Sequence, residues 1–330
     1  MNRELDDFVK KANLSKNIYT AGPSSLISSA LTEIKPCFGR NDMKYQEAKE
    51  FVIKYLRKMT SHQNLVALQG SATLAIEIAI ANFCRGKILL IDTGYYSKRI
   101  LNILEKQNYI DPNNIDYHSY QNISRLPRDN YDWILCCYTE TSCAFKVEIN
   151  LIKKIALDLN AKLFLDATAS IGLENNHKLA DVICYSSCKG LFGLTGGSFI
   201  AYNDLEIHPT NSIYLDINTH LSNLVTGPYH QILSLYGVLQ NYSIYLKRVK
   251  KWHKYFLEIF NKNLIYDKKN QPILCTLLNC KVEYLEINPI IYKPRMDNNG
   301  EVICHIGQVH REIDLIDRNL IKNHFKIIKN

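Results

Sequence analysis

Residues 183 to 202 read ICYSSCKGLFGLTGGSFIAY. A single lysine, Lys189, stands between an apolar run and a loop with glycines at 190, 193, 196 and 197, and a second apolar run, SFIAY, follows. Both runs have the length and β-branched or aromatic content of buried strands. A surface lysine needs no such setting. A lysine that bonds covalently to a flat ligand needs a sheet to anchor it and a loop that leaves room beside it.

Outward from this stretch, strands and helices alternate. KYQEAKEFVIKYLRKMT, 44 to 60, has helical apolar spacing. NLVALQ (64–69), KILLID (87–92), WILCCY (133–138), KLFLD (162–166), DVICYS (181–186) and GSFIAY (197–202) read as strands. GSATLAIEIAIANF (70–83), YYSKRILNILEKQ and LIKKIALDLN read as the helices between them. The pattern predicts an α/β fold with a mostly parallel central sheet and helices on both faces. A helical stretch over about 229–262 and shorter mixed elements over 270–330 predict a connecting helix and a small C-terminal α+β domain. The division expected is an N-terminal arm (1–17), a large domain (18–245) and a small domain (246–330).

Composition narrows the function. The chain has 330 residues, 46% hydrophobic, enough for one large domain or a large and a small one. The charged start, MNRELDDFVKKANLSK, is not a secretory signal, and no run is apolar and long enough to span a membrane. The ten cysteines form no CxxC and are scattered, which fits buried thiols in a reducing cytoplasm and neither disulfides nor a metal site. The net charge is +8, and the densest basic run, LKRVKKWHKYF (246–256), reads as the solvated face of a helix. No nucleic-acid-binding module accompanies it.

In open α/β sheets, ligands bind beyond the carboxyl ends of the strands. Four polar stations lie there. Gly70 to Thr73 open a helix after a strand, either as an anion site or as an ordinary helix start. Asp166 ends an apolar strand, as partner of a protonated ring nitrogen or as a cap or structural ion pair. Thr141, beside Glu140, follows a third strand and Lys189 a fourth, while Tyr95 and Tyr96 follow a further one. Tyr96 either covers a ring face or packs, and Glu140 reads as structural. One short strand separates Asp166 from Lys189, so the two occupy neighbouring strand ends.

YTAGPSSL, LQGSATLAIE, IDTGYYSKR, YTETS, LFLDATASIG, YSSCKGLFGLTGG and TGPYHQILSLYGVLQ occur in that order. Together they resemble the pyridoxal phosphate (PLP)-dependent class V aminotransferases of fold type I. The sequence is most similar to 2-aminoethylphosphonate–pyruvate and alanine/serine–glyoxylate aminotransferases. The resemblance runs from about residue 18 to 245 and resumes over 286–310.

It implies Lys189 as the Schiff-base lysine and Asp166 as the partner of the pyridinium nitrogen. Ser71, Ala72 and Thr73 match the turn that cradles the phosphate, Tyr96 the aromatic that stacks on the ring, and Thr141 a hydroxyl near the ring oxygen. Thr226 matches a threonine that reaches the neighbouring subunit's phosphate, implying a homodimer with sites at the interface. Gly22, in the segment lining the substrate side, is expected near the substrate.

Two departures stand out. Cys188 precedes the lysine where relatives carry asparagine or glutamine. In VICHIGQV (302–309), His305 stands where relatives place the arginine that grips the substrate carboxylate. His305 is either a weaker substrate contact or a buried strand histidine. Arg40 and Arg295 are the candidate replacements, with Arg40 favoured. The function implied is transfer of an amino group from a small amino compound, such as an aminoalkylphosphonate, to a keto acid. Loss of the arginine keeps a decarboxylase or lyase on the same fold as the alternative. A binding protein without turnover is disfavoured by the intact Lys189 and Asp166, and a dinucleotide dehydrogenase by the missing glycine fingerprint.

Overall fold

The computed structural model describes residues 3–14, 17–36, 39–126, 129–286 and 288–328. Seven strands form the central sheet, in the spatial order Asn64–Gln69, Gly197–Tyr202, Val182–Ser186, Lys162–Asp166, Trp133–Cys137, Ile88–Asp92, Ile115–Ser119. Gly197–Tyr202 runs antiparallel to both neighbours, and the other pairs are parallel. The chain is thus mixed α/β with a mainly parallel sheet, as its alternation of apolar runs and helices predicts.

Both faces of the sheet are buried, which explains why its strands are apolar at consecutive positions. Successive side chains point to opposite faces. Leu89, Ile91, Ile134, Leu163, Leu165 and Ile183 join one core cluster, with Val52 and Leu56 of the helix Met43–Thr60 and Ile152 of the helix Ile149–Asp158. Ile88, Leu90, Leu135, Phe164 and Val182 join the other, with Ala75, Ile76 and Ala79 of the helix Ala72–Phe83. That helix buries nearly its whole length, and its small residues let it lie close to the sheet. Phe164, Leu165 and Asp166 form the same strand, so two apolar anchors fix where the carboxylate emerges.

The predicted helical stretch over 229–262 is two helices, Tyr229–Leu239 and Tyr242–Ile259. Asn241, with φ −123° and ψ 20°, leaves the helical range between them. Beyond lie short antiparallel pairs, Cys275–Leu278 with Glu301–Cys304 and Lys281–Tyr284 with Phe325–Ile328. The chain start returns to this region. Asn17–Tyr19 pairs in parallel with Pro289–Ile291, and Tyr19 is buried with Trp252, Phe256, Phe260 and Phe325. The Tyr19 hydroxyl meets His324 Nδ1 and donates to Glu286 at 3.0 Å, and Glu286 also lies 2.8 Å from His324 Nε2. This network ties the first strand to the last.

Among the described residues, no helix is long and apolar enough to cross a membrane, and no cluster of side chains could hold a metal ion. The described cysteines are free thiols, mostly buried, and Cys37 lies outside the described residues.

Candidate active site

A cavity of about 530 Å³ opens at the carboxyl ends of the central strands. Gly22, Ser71, Ala72, Thr73, Tyr96, Thr141, Asp166 and Lys189 all line it. Residues widely separated in the sequence meet there because all but Gly22 end or follow strands of one sheet, while Gly22 follows Asn17–Tyr19, which pairs with Pro289–Ile291.

Lys189 follows the strand Val182–Ser186 through a tight turn. Ser187 N–H donates to Gly197 O at 2.9 Å, Gly193 N–H to Ser187 O at 2.9 Å, and Phe192 N–H to Lys189 O at 3.0 Å. The glycine-rich loop is therefore a closed, hydrogen-bonded unit that returns at once into the next strand. From the other side Ser24 N–H donates to Cys188 O at 3.0 Å. Gly22, with φ +139°, lies against the lysine stem: a β-carbon there would meet Lys189 Cγ at 2.9 Å and Cε at 3.2 Å. The Lys189 ammonium stands 5.9 Å from the centre of the Tyr96 ring.

Asp166 is 2% exposed and not left alone. Its Oδ2 lies 3.1 Å from Arg99 Nη2, and its Oδ1 accepts the Thr168 N–H at 2.9 Å. The Arg99 guanidinium is 4.7 Å from the centre of the Tyr96 ring. Arg99 was not singled out in the sequence, where it reads as an ordinary cation of an amphipathic helix. Its signal is spacing: three residues after Tyr96 on Tyr95–Leu104, it shares a helix face with that ring.

Two helix starts flank the cavity and differ. At Tyr95–Leu104, the buried Glu140 accepts the Tyr96 N–H at 2.9 Å and the Ser142 N–H at 3.1 Å. Burial pushes the Glu140 carboxyl up, against these hydrogen bonds. Glu140 is thus structural. At Ala72–Phe83, Ser71 makes no side-chain cap hydrogen bond. This helix start offers unoccupied N–H groups to an anion.

Buried polar atoms in the wall also lack partners. The Thr139, Thr141 and Thr168 hydroxyls and Arg99 Nε make no hydrogen bond. The Tyr292 hydroxyl faces Thr141 and Tyr96, and burial raises its pKa. Buried polar groups are normally satisfied, so such a cluster in a cavity wall leaves room for a ligand or water to bond there. The set fits a flat ring with polar substituents, a basic ring nitrogen and an anionic arm.

Three expected residues lie elsewhere. His305 is fully buried, 2.9 Å from Thr276 Oγ1, with its ring against His253 and Phe256. Burial, then His253, push its pKa well below the usual range. A neutral, enclosed imidazole cannot grip a substrate, so the structure corrects the substrate-facing role to that of a core histidine. Arg40 lines a separate cavity of about 360 Å³ with Tyr45, Lys49 and Asn223, and donates to Asn223 O. Arg295 does line the Lys189 cavity, donating to the Tyr95 hydroxyl at 3.0 Å, so the order of the two arginines is reversed. Thr226 is exposed and does not line the Lys189 cavity.

No protein-family model matches the chain, and no curated protein matches it by sequence. Solved structures do. The chain is similar to a subgroup IV aspartate aminotransferase from Thermus thermophilus, with TM-score 0.73 and 18% identity over 88% of this chain and 94% of that one. A phosphoserine aminotransferase from Cytophaga hutchinsonii gives 0.71 and 16% over 94% and 98%. An alanine–glyoxylate aminotransferase from Nostoc sp. gives 0.68 and 18% over 80% and 79%. At these identities the likeness establishes the fold, which is that of the fold type I aminotransferases.

Proposed function

We propose that this chain is a pyridoxal phosphate-dependent aminotransferase that moves an amino group from a small amino compound to a keto acid. One observation carries the reading: Lys189 and the buried Asp166, from neighbouring strand ends, line the same cavity as the Tyr96 ring and an uncapped helix start. The fold neighbours support it, being aminotransferases by description.

Each residue then has a task. Lys189 would hold the cofactor through its amine and, as a free amine, would move a proton at the substrate carbon. Tyr96 covers one face of the ring. Asp166, held by Arg99 and the Thr168 N–H, would partner the ring nitrogen and favour its protonated form. Ser71, Ala72 and Thr73 hold the phosphate at the helix start, where the dipole favours negative charge. Thr141 donates to the ring oxygen. Gly22 leaves room for the lysine stem. The bound cofactor supplies an electron sink for the bond that breaks at the substrate carbon.

A second copy completes this reading. Thr226 lies outside its own chain's cavity, in a segment that also exposes Ile213, Leu221 and Leu224. We assign this face to a homodimer in which Thr226 reaches the neighbouring phosphate.

Titrating the loaded protein with candidate amines, 2-aminoethylphosphonate among them, tests the function. The absorbance band of the lysine-bound cofactor should give way to that of pyridoxamine phosphate, and a keto acid should restore it. Release of carbon dioxide or ammonia without that change would assign the chain to decarboxylation or elimination instead.

A further inference from the structure

Charge is unevenly distributed around the Lys189 cavity. Lys189, Arg99, Lys293 and Arg295 line it, whereas Asp166 is the sole carboxylate among its described lining residues. Arg99 is already paired with Asp166. Lys189 would be occupied by the cofactor. Lys293 and Arg295 remain, and among the described residues neither has a carboxylate within ion-pair distance.

These cations lie away from the proposed phosphate turn. Ser71 to Thr73 follow the edge strand Asn64–Gln69. Arg295 is tied to Tyr95, which follows Ile88–Asp92, and four strands of the sheet separate the two. The proposed phosphate turn and the Lys293–Arg295 pair are thus held by different parts of the cavity wall.

Arg295 is also oriented. Its guanidinium lies 5.2 Å from the centre of the Tyr95 ring, and one nitrogen donates to the Tyr95 hydroxyl. The segment around it is stitched to the wall. Tyr292 N–H donates to Tyr19 O at 3.0 Å, and Asn298 Nδ2 donates to Ser142 O at 2.8 Å. A cation held over an aromatic ring, with no further hydrogen bond to the described residues, is prepared for an oxyanion.

We infer that Lys293 and Arg295 form the subsite for the anionic end of the substrate, taking over from the position that His305 occupies in the core, and that the two cations select a doubly charged end over a singly charged one. The inference rests on the aminotransferase reading, because the cofactor places the reacting carbon beside Lys189. The subsite belongs to the segment 292–298, where Arg295 was one of two candidate arginines in the sequence.

The test uses protein loaded with pyridoxal phosphate and three non-amino probes of equal chain length: ethylphosphonate, propionate and propan-1-ol. Binding is read by calorimetry at a pH where the phosphonate is a dianion. The expected order is ethylphosphonate, then propionate, then propan-1-ol, with affinity for the two anions falling as salt is raised. Arg295→Gln should weaken ethylphosphonate binding about 10-fold, the lower end for a charge-assisted contact because the side chain is exposed. Lys293→Gln should weaken it several-fold, and Arg295→Lys should fall between wild type and Arg295→Gln. Cofactor affinity should stay unchanged in all three. Equal binding of the three probes, or variants within twofold of wild type, overturns the subsite. Borohydride labelling of the same samples keeps the two claims apart: protein that takes no label at Lys189 overturns the cofactor reading, and the substrate subsite with it.

Discussion

Lys189 owes its position to residues far from it in the chain. Gly22 packs on its stem with no room for a β-carbon and with a backbone angle that favours glycine. Gly22→Ala should therefore push the lysine aside, with strain of about 1–3 kcal/mol. Borohydride labelling at Lys189 should drop while circular dichroism stays unchanged; full labelling would show that Gly22 does not constrain the amine. Asp166 and Arg99 form the second linked pair. Removing one partner of a buried ion pair costs up to about 3–5 kcal/mol, and less here because the Arg99 side chain is 26% exposed. Arg99→Leu should lower the urea midpoint of the cofactor-free protein. The loss should shrink when pyridoxal phosphate is added, because the ring nitrogen then partners Asp166. An equal loss with and without cofactor would contradict the Asp166 role. Asp166→Asn should fold but lose most activity, since each pKa unit lost at the ring nitrogen corresponds to about 1.4 kcal/mol.

At the scale of elements, the central strands were legible because burial on both faces makes them continuous apolar runs, and their ends were legible because polar residues stop them. The strand Ile115–Ser119 was not. It lies at the sheet's edge, none of its residues is fully buried, and IDYHS carries no apolar signature. The pairing of Asn17–Tyr19 with Pro289–Ile291 is also silent in the sequence, since a three-residue strand far from its partner leaves no local pattern. The site divides the same way. Residues at strand ends could be read one by one, whereas the Arg99 ion pair, the Arg295 placement and the burial of His305 are products of packing between elements. His305 brings a testable pH dependence. It lies against His253 of the helix Tyr242–Ile259, whose pKa is pushed down to about 4 by burial and then by Lys146. His310 is likewise down to about 4 and His177 to about 3, both chiefly by burial. These imidazoles are neutral when folded and take up protons when unfolded. Their contribution to stability is full above about pH 6.5 and is lost as pH falls from there toward 4. Urea midpoints should decline across that window. His305→Asn should make the decline shallower and leave Lys189 labelling intact; an unchanged slope would contradict a neutral buried His305.

At the scale of the whole molecule, one sheet gathers an amine, a carboxylate, an aromatic ring and an uncapped helix start at its carboxyl end, while the C-terminal elements and the chain start supply the opposite wall. Tyr292, Lys293 and Arg295 belong to that wall. The face carrying Thr226, Leu221 and Leu224 lies outside it. Sedimentation should show a dimer. Mixing Lys189→Ala chains with Thr226→Ala chains should recover activity, because one of the two sites then has both residues intact. Activity from a monomer would contradict the shared site. The account as a whole stands on the covalent role of Lys189, and the most direct measurement is borohydride reduction of the loaded protein followed by peptide mapping. The account predicts one pyridoxyl group per chain, on Lys189 of the peptide running through CKGLFGLTGG. A label on any other lysine, or no label at all, would contradict it.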